Sequence, residues 1–245
     1  MPPVRLPGRE LEGLLGPFLP TDHARQTLAD RYIERALGRP AQRPWRVLDL
    51  GCGSGSSVDF FRARDPDVDW IGLDVADPTE PHTRTDARFE TFDGVAIPFA
   101  DASFDLVYCK QVFEHVRHPA PLLEHVHRVL RPGGYFAGST SQLEPFHSLS
   151  LWNYTPLGFA KLLDQAELAL VELRPGIDGL VLIARRLVRR GPPFDRWWAR
   201  WWGGESPVNR LIDAYGRARR LDTRALNATK LLFCGQFAFV ARRAE

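Results

Sequence analysis

The sequence predicts an α/β fold, a mainly parallel sheet with helices on both faces, and three observations carry that prediction. Short apolar runs alternate with helix-length amphipathic segments through most of the chain. One apolar run, residues 45–50, opens directly into a turn with glycines at Gly51, Gly53 and Gly55. The composition, 44% hydrophobic and 25% charged over 245 residues, is that of a globular chain able to bury a sizeable core.

The elements are predicted in chain order. Residues 1–20 are rich in Pro and Gly and read as an irregular arm. Thr21 and Asp22 can cap a helix running to about Leu37, which Gly38-Arg39-Pro40 ends. Strands follow at 45–50, 68–74, 87–92 and 104–109, with a helix at 56–64. Residues 119–130 place Leu122, Leu123, Val126, Val129 and Leu130 on one helical face, and Arg131-Pro132-Gly133-Gly134 reads as a turn. A strand at 135–140, a helix at 156–165 and a strand at 169–173 continue the alternation. Residues 180–188 fit strand or helix; Asp178 is a suitable N-cap and Gly191-Pro192 a stop, so helix is preferred. The final sheet strand is placed at 231–242, rich in Phe and Val. The expected organisation is an N-terminal arm and helix (1–40), a main domain (41–177 with 229–245) and a helical insertion (178–228).

Bulk properties bound the function. Cys52, Cys109 and Cys234 are odd in number and widely spaced, which fits neither a disulfide framework nor a zinc site and points to a reducing compartment. The first 20 residues lack the apolar core of a secretory signal, and no apolar run is long enough to span a bilayer. A cytoplasmic location is therefore expected. The net charge of +2 is uneven: residues 174–224 hold 12 Arg, no Lys and 5 acids, a sum of +7. That segment invites an anionic partner or is a solvated arginine-rich surface.

The turn after residue 50 is the central feature. Glycines there allow close approach of a ligand to the backbone and positive φ angles, and the helix that follows offers free N–H groups. The spacing G-x-G-x-G departs from the G-x-G-x-x-G of dinucleotide folds and lacks the lysine of the phosphate loop. Asp49 lies two residues before the first glycine. A buried carboxylate there repels a pyrophosphate and suits a cation such as an α-amino group, which disfavours NAD and ATP.

The run Val47-Leu48-Asp49-Leu50-Gly51-Cys52-Gly53-Ser54-Gly55 resembles the first motif of the class I S-adenosylmethionine-dependent methyltransferases of small-molecule type. Further matches in the same order extend the resemblance from about Arg46 to Thr140. It implies a seven-stranded Rossmann-like sheet with an antiparallel last strand, S-adenosylmethionine as cofactor and methyl transfer as the activity. Asp49, Gly51, Cys52, Gly53 and Gly55 would then surround the cofactor. Asp74, at the end of the next strand and 19 residues after Gly55, would bond the ribose hydroxyls, with Val75 and Ala76 against adenine. Asp93 would accept from the adenine amino group, and Gly94 would leave room for the ring. Lys110 and Gln111, after the fourth strand, would line the cofactor and face the acceptor.

Displacement at a sulfonium needs alignment of acceptor and methyl and exclusion of water, and a general base only where the acceptor is protonated. His115, in Glu114-His115, and His147, after the fifth strand, are the candidate bases. Each competes with a structural role. Related quinone-pathway enzymes hold a divalent cation with a similar pair and a glutamate three residues earlier; that position is Gln111 here, and no metal is expected. The Asn/Asp-Pro-Pro-Tyr/Phe run of amide and base N-methylation is absent after the fourth strand, so O-methylation of a small-molecule or glycan-type acceptor is favoured. A catalytically silent scaffold of the same fold is the alternative.

The predicted insertion holds Trp197, Trp198, Trp201 and Trp202 among arginines. With Arg185, Arg186, Arg189 and Arg190, residues 185–202 are open to several readings: contact with the inner face of an anionic membrane, stacking on a sugar or aromatic acceptor, contact with a second subunit, or packing on the domain. Nucleic acid is not expected, since no reader motif is present.

Overall fold

The structure is a computed structural model that describes residues 8–37, 44–75, 84–145, 149–188, 196, 200–201 and 204–245. Seven strands form one sheet: β1 Arg46–Leu50, β2 Asp69–Val75, β3 Arg88–Phe92, β4 Phe104–Lys110, β5 Leu130–Ser141, β6 Leu168–Pro175 and β7 Gln236–Arg243. Their order is β3-β2-β1-β4-β5-β7-β6. Six strands are parallel and the last is antiparallel, in a Rossmann-like arrangement. The helices are α1 Arg9–Leu15, α2 Asp30–Leu37, α3 Ser57–Arg62, α4 Pro119–Val129, α5 Pro156–Gln165, α6 Gly179–Leu187, α7 Pro207–Arg219 and α8 Thr223–Phe233.

The chain divides into two compact units, residues 1–28, 140–158 and 172–238, and residues 29–139, 159–171 and 239–245. In the second, β1 pairs in parallel with β2 and β4, with Val47 opposite both Trp70 and Leu106. Val47, Leu48, Leu50, Ile71, Leu73, Leu106 and Val107 are fully buried. Consecutive buried residues of this kind mark strands covered on both faces. Pro119 opens α4, and Leu122, Leu123, Val126 and Val129 are its buried side. Strand order reverses between β1 and β4, and open sheets of this kind bind ligands beyond the strand ends at such a point.

The first unit holds buried charges that the arm secures. Arg174 is 1% exposed and pairs with Asp22 at 2.9 Å and Glu172 at 2.6 Å. Lys230, equally buried, pairs with Asp213 at 3.0 Å and Glu205 at 3.5 Å. Buried charges persist only when paired in this way. The three cysteines are free and buried.

Four boundaries differ from the sequence-based prediction. The arm is not wholly irregular: α1 and a 3-10 turn at Gly16–Phe18 form in it. They form because Leu15 and Leu19 are buried and α1 packs on α8. Thr21 and Asp22 do not open a helix, which starts at Asp30. The Asp22 carboxylate is taken by Arg174, and the Thr27 N–H donates to the Pro175 carbonyl at 2.9 Å. Residues 131–134 are no free turn; they form the irregular start of β5, with Gly133 at φ 73° and a register shift against β4. Residues 231–233 end α8 instead of starting the last strand, since Leu231 extends the buried face of Ala225 and Ala228. Asp178 does cap α6, accepting from the Val181 N–H at 2.8 Å.

Candidate functional site

The predicted cofactor residues all lie in the second unit, at or just beyond the carboxyl ends of β1, β2, β3 and β4. The three glycines of the turn have φ angles of 73°, 51° and 76°, conformations that L side chains adopt at a cost. Their surroundings differ. A Cβ on Gly51 would stand 2.2 Å from Val112 Cγ2, and one on Gly55 would stand 2.5 Å from the Phe89 ring. Those two positions are filled by the protein's own packing. A Cβ on Gly53 would meet nothing within 4 Å, so this glycine faces open space.

Asp49, at the end of β1, is 4% exposed and accepts a hydrogen bond from the Ser57 hydroxyl, which itself accepts from Trp70 Nε1 at 3.1 Å. Burial raises its carboxyl to about 7, against the opposing Ser57 hydrogen bond; Asp74 and Asp30 push the same way and Lys110 the other. Three carboxylates therefore share this neighbourhood with one ammonium, and the field favours a cation. Cys52 beside them is buried, and its thiol is pushed up by burial and by Asp49 and Asp74, so it is a neutral packing group.

Asp74 ties the turn to β2. One oxygen accepts from the Gly53 N–H at 2.7 Å and the other from the Val75 N–H at 2.8 Å. Val75 is 47% exposed at the strand end, and its Cγ1 would lie 3.5 Å from a Cβ on Gly94. An exposed apolar side chain thus faces a side-chain-free position at φ 86°. Asp93, next to it, accepts from the N–H groups of Ala96 and Val95 at 2.7 and 2.9 Å. Those bonds hold its carboxyl below the usual carboxylate range and fix its orientation. Ala76 lies outside the described residues.

At the end of β4, Lys110 Nζ lies 3.6 Å from Asp30 Oδ1, which also accepts from the Tyr108 hydroxyl at 2.7 Å. Gln111 has φ 57°, rare for a residue with a side chain; its N–H donates to the Ser139 carbonyl and its Nε2 to Ser139 Oγ. A 3-10 turn at Phe113–His115 follows. Phe113 seats it, edge-on to Phe136 and Phe159 at 5.9 and 5.8 Å between ring centres. Glu114 is fully buried in this turn, and His115 is half-buried with its N–H on the Val112 carbonyl. His147 lies outside the described residues, as do Arg189, Arg190, Trp197, Trp198 and Trp202. Among the described residues no cluster of His, Cys, Asp or Glu could hold a metal ion.

Sequence reasoning missed Ser57, Asp30, Tyr108 and Val112. Ser57 carried a local signal, the first turn of the helix after the glycines. Asp30 carried none, because its tie to Tyr108 spans 78 positions.

These residues fit S-adenosylmethionine. A buried carboxylate raised to about 7 suits an α-ammonium, and open space at Gly53 admits a ligand to the backbone. An acid at the β2 end, with Val75 and Gly94 beside it, suits a nucleoside. Comparison with known proteins agrees. A methyltransferase domain family model matches residues 21–225. An uncharacterized methyltransferase of Mycolicibacterium gilvum is 38% identical over 129 residues, 49% of each chain. The trans-aconitate 2-methyltransferase of Methylobacterium nodulans is 37% identical over 105 residues, 40% of this chain and 39% of that one. The chain thus spans half or less of the length of these curated relatives. An S-adenosylmethionine-dependent methyltransferase of Mesorhizobium loti shares the fold, with TM-score 0.52, 18% identity and coverage of 88% and 98%. The chain belongs to the class I S-adenosylmethionine-dependent methyltransferases.

Proposed function

We propose that the protein transfers a methyl group from S-adenosylmethionine to a small-molecule or glycan-type acceptor, with oxygen as the favoured acceptor atom. The observation that carries the reading is the buried Asp49 carboxyl, at the end of the strand that opens into the glycine turn, with open space at Gly53. A silent scaffold role is not favoured.

When bound, S-adenosylmethionine supplies a methyl group on a cationic sulfur. Asp49 would hold the amino group, giving up its proton as the ammonium arrives. Gly53 would leave the backbone accessible, with Gly51 and Gly55 holding the turn and Cys52 packing beneath it. Asp74 would exchange its bond to the Gly53 N–H for the ribose hydroxyls. Val75 and Gly94 would flank adenine, with Asp93 as acceptor for its amino group. Lys110, anchored by Asp30, would face the carboxylate end of the cofactor or the acceptor, on the same side as Gln111. His115 and His147 are the candidate bases for an acceptor that must lose a proton. The proposed division keeps residues 41–177 and 229–245 as the cofactor domain, with 178–228 as a helical insertion.

Incubation of the full chain with methyl-labelled cofactor and a metabolite extract, read by mass spectrometry, tests the reading. A labelled product bearing the methyl group on oxygen is expected. Tight cofactor binding with no labelled product from any fraction would overturn the transferase assignment while leaving the site intact.

A further inference from the structure

Helix α6 is apolar on both sides. Val181 and Leu182 face inward with Ile177 and form a small buried cluster that Trp201 packs against. On the opposite side Leu180, Ile183 and Leu187 are 63%, 44% and 82% exposed. They follow the i, i+3, i+7 spacing of one helical stripe, where a surface helix ordinarily carries polar residues. The stripe does not stand alone. A Cβ on Gly179 would lie 3.0 Å from Leu143 Cβ and 3.6 Å from the Phe233 carbonyl, and Gln142 Nε2 donates to the Leu231 carbonyl at 2.8 Å. Leu143, Leu232 and Phe233, themselves 49%, 37% and 46% exposed, therefore adjoin the start of α6. Exposed apolar surface of this continuity marks an interaction site.

Charge selects the partner. Arg186, in the last turn of α6, is exposed beside this stripe, and α6 itself carries no acidic residue. A second copy seated on this face would set like charges against each other across a two-fold contact, which is unfavourable. An anionic lipid surface satisfies both features, taking leucine and phenylalanine side chains at the acyl boundary and Arg186 among the headgroups. No helix among the described residues is long and apolar enough to cross a membrane, so the contact would lie in the interface plane. We propose that the α6 face, Leu180, Ile183 and Leu187 with Leu143, Leu232 and Phe233, docks the protein peripherally on anionic membrane. This is independent of the cofactor site.

Co-sedimentation of the full chain with vesicles tests it. Phosphatidylcholine vesicles containing phosphatidylglycerol should bind the protein, pure phosphatidylcholine vesicles far less, and added salt should weaken the binding. The Leu180→Gln/Ile183→Gln/Leu187→Gln variant should lose roughly tenfold or more in vesicle affinity, with its melting temperature and S-adenosylhomocysteine affinity unchanged. Single Leu187→Gln should lose part, and Arg186→Glu should lower the anionic preference by roughly fivefold. Equal binding to neutral and anionic vesicles, or a triple variant that still sediments, would overturn the proposal. So would a triple variant that unfolds, because the face would then be packed within the chain. A change in solution mass by light scattering without loss of vesicle binding would assign the face to a second copy instead.

Discussion

The Gly53 N–H donates to Asp74 Oδ2 at 2.7 Å, so the one glycine of the turn that faces open space is held by the acid at the end of the neighbouring strand. The same carboxylate accepts from Val75 at 2.8 Å. Asp74 therefore sets the shape of the turn and presents acceptor oxygens where β1 and β2 end.

Replacing Asp74 with Ala should weaken S-adenosylhomocysteine binding by about 1–3 kcal/mol, the scale of leaving polar partners unpaired. Asp74→Asn, which keeps one acceptor oxygen, should lose less. Isothermal titration calorimetry on the folded variants reads both. Wild-type affinity in Asp74→Ala would remove this residue from the site.

The glycines should separate into two classes. Gly53→Ala adds a methyl group into open space and costs only the positive-φ strain, about 1–2 kcal/mol, so the variant should fold and bind the cofactor poorly. Gly53→Val should behave likewise with a larger binding loss. Gly51→Ala drives a Cβ into Val112 and should cost a further 1–3 kcal/mol, roughly, of stability. Val112→Ala should return part of that stability. Thermal melts and calorimetry on the same samples distinguish the classes.

Asp49 gives a pH dependence with a defined sign. Its carboxyl is raised from 3.8 to about 7, chiefly by burial. A raised folded value means that its contribution to stability is complete below the unfolded value and is lost as pH rises through the folded one. The ligand-free protein should therefore lose stability between about pH 4 and pH 7 from this group, and Asp49→Asn should flatten that interval. Cofactor affinity should move oppositely, rising toward pH 7 as the carboxylate forms for the ammonium. Melts across pH, with titrations on either side of neutrality, check both slopes.

The helix caps provide a stability test away from the site. Asp222 accepts from the Ala225 N–H at 2.8 Å and Asp178 from Val181 at 2.8 Å. Asp222→Ala should cost about 1 kcal/mol. Asp178→Ala should cost at least as much, because this carboxylate is fully buried. Urea denaturation measures both.

The parts legible in the sequence were those whose signals are local. β1, β2 and β4 are mainly apolar runs, the glycine turn announces itself by spacing, and Asp178 sits where a cap belongs. The misreadings trace to distant partners. Asp22 was a sound cap by sequence, but buried Arg174, far along the chain, takes its carboxylate. Leu231 to Phe233 matched a strand by composition, yet they end the helix that Asp222 caps, with Leu231 extending its buried face. At the site, Asp49, Asp74 and Asp93 were visible as acids at strand ends. The Asp30–Tyr108 bond and the Val112 contact with Gly51 were not, since neither leaves a pattern along the chain.

The most direct test is calorimetric titration of the full chain with S-adenosylmethionine and S-adenosylhomocysteine, wild type beside Asp49→Asn. The account predicts saturable binding of one nucleoside per chain, weakened in Asp49→Asn far more for ligands that carry the α-ammonium than for methylthioadenosine, which lacks it. An absence of binding heat for both nucleosides, confirmed by an unshifted melting temperature, would contradict it.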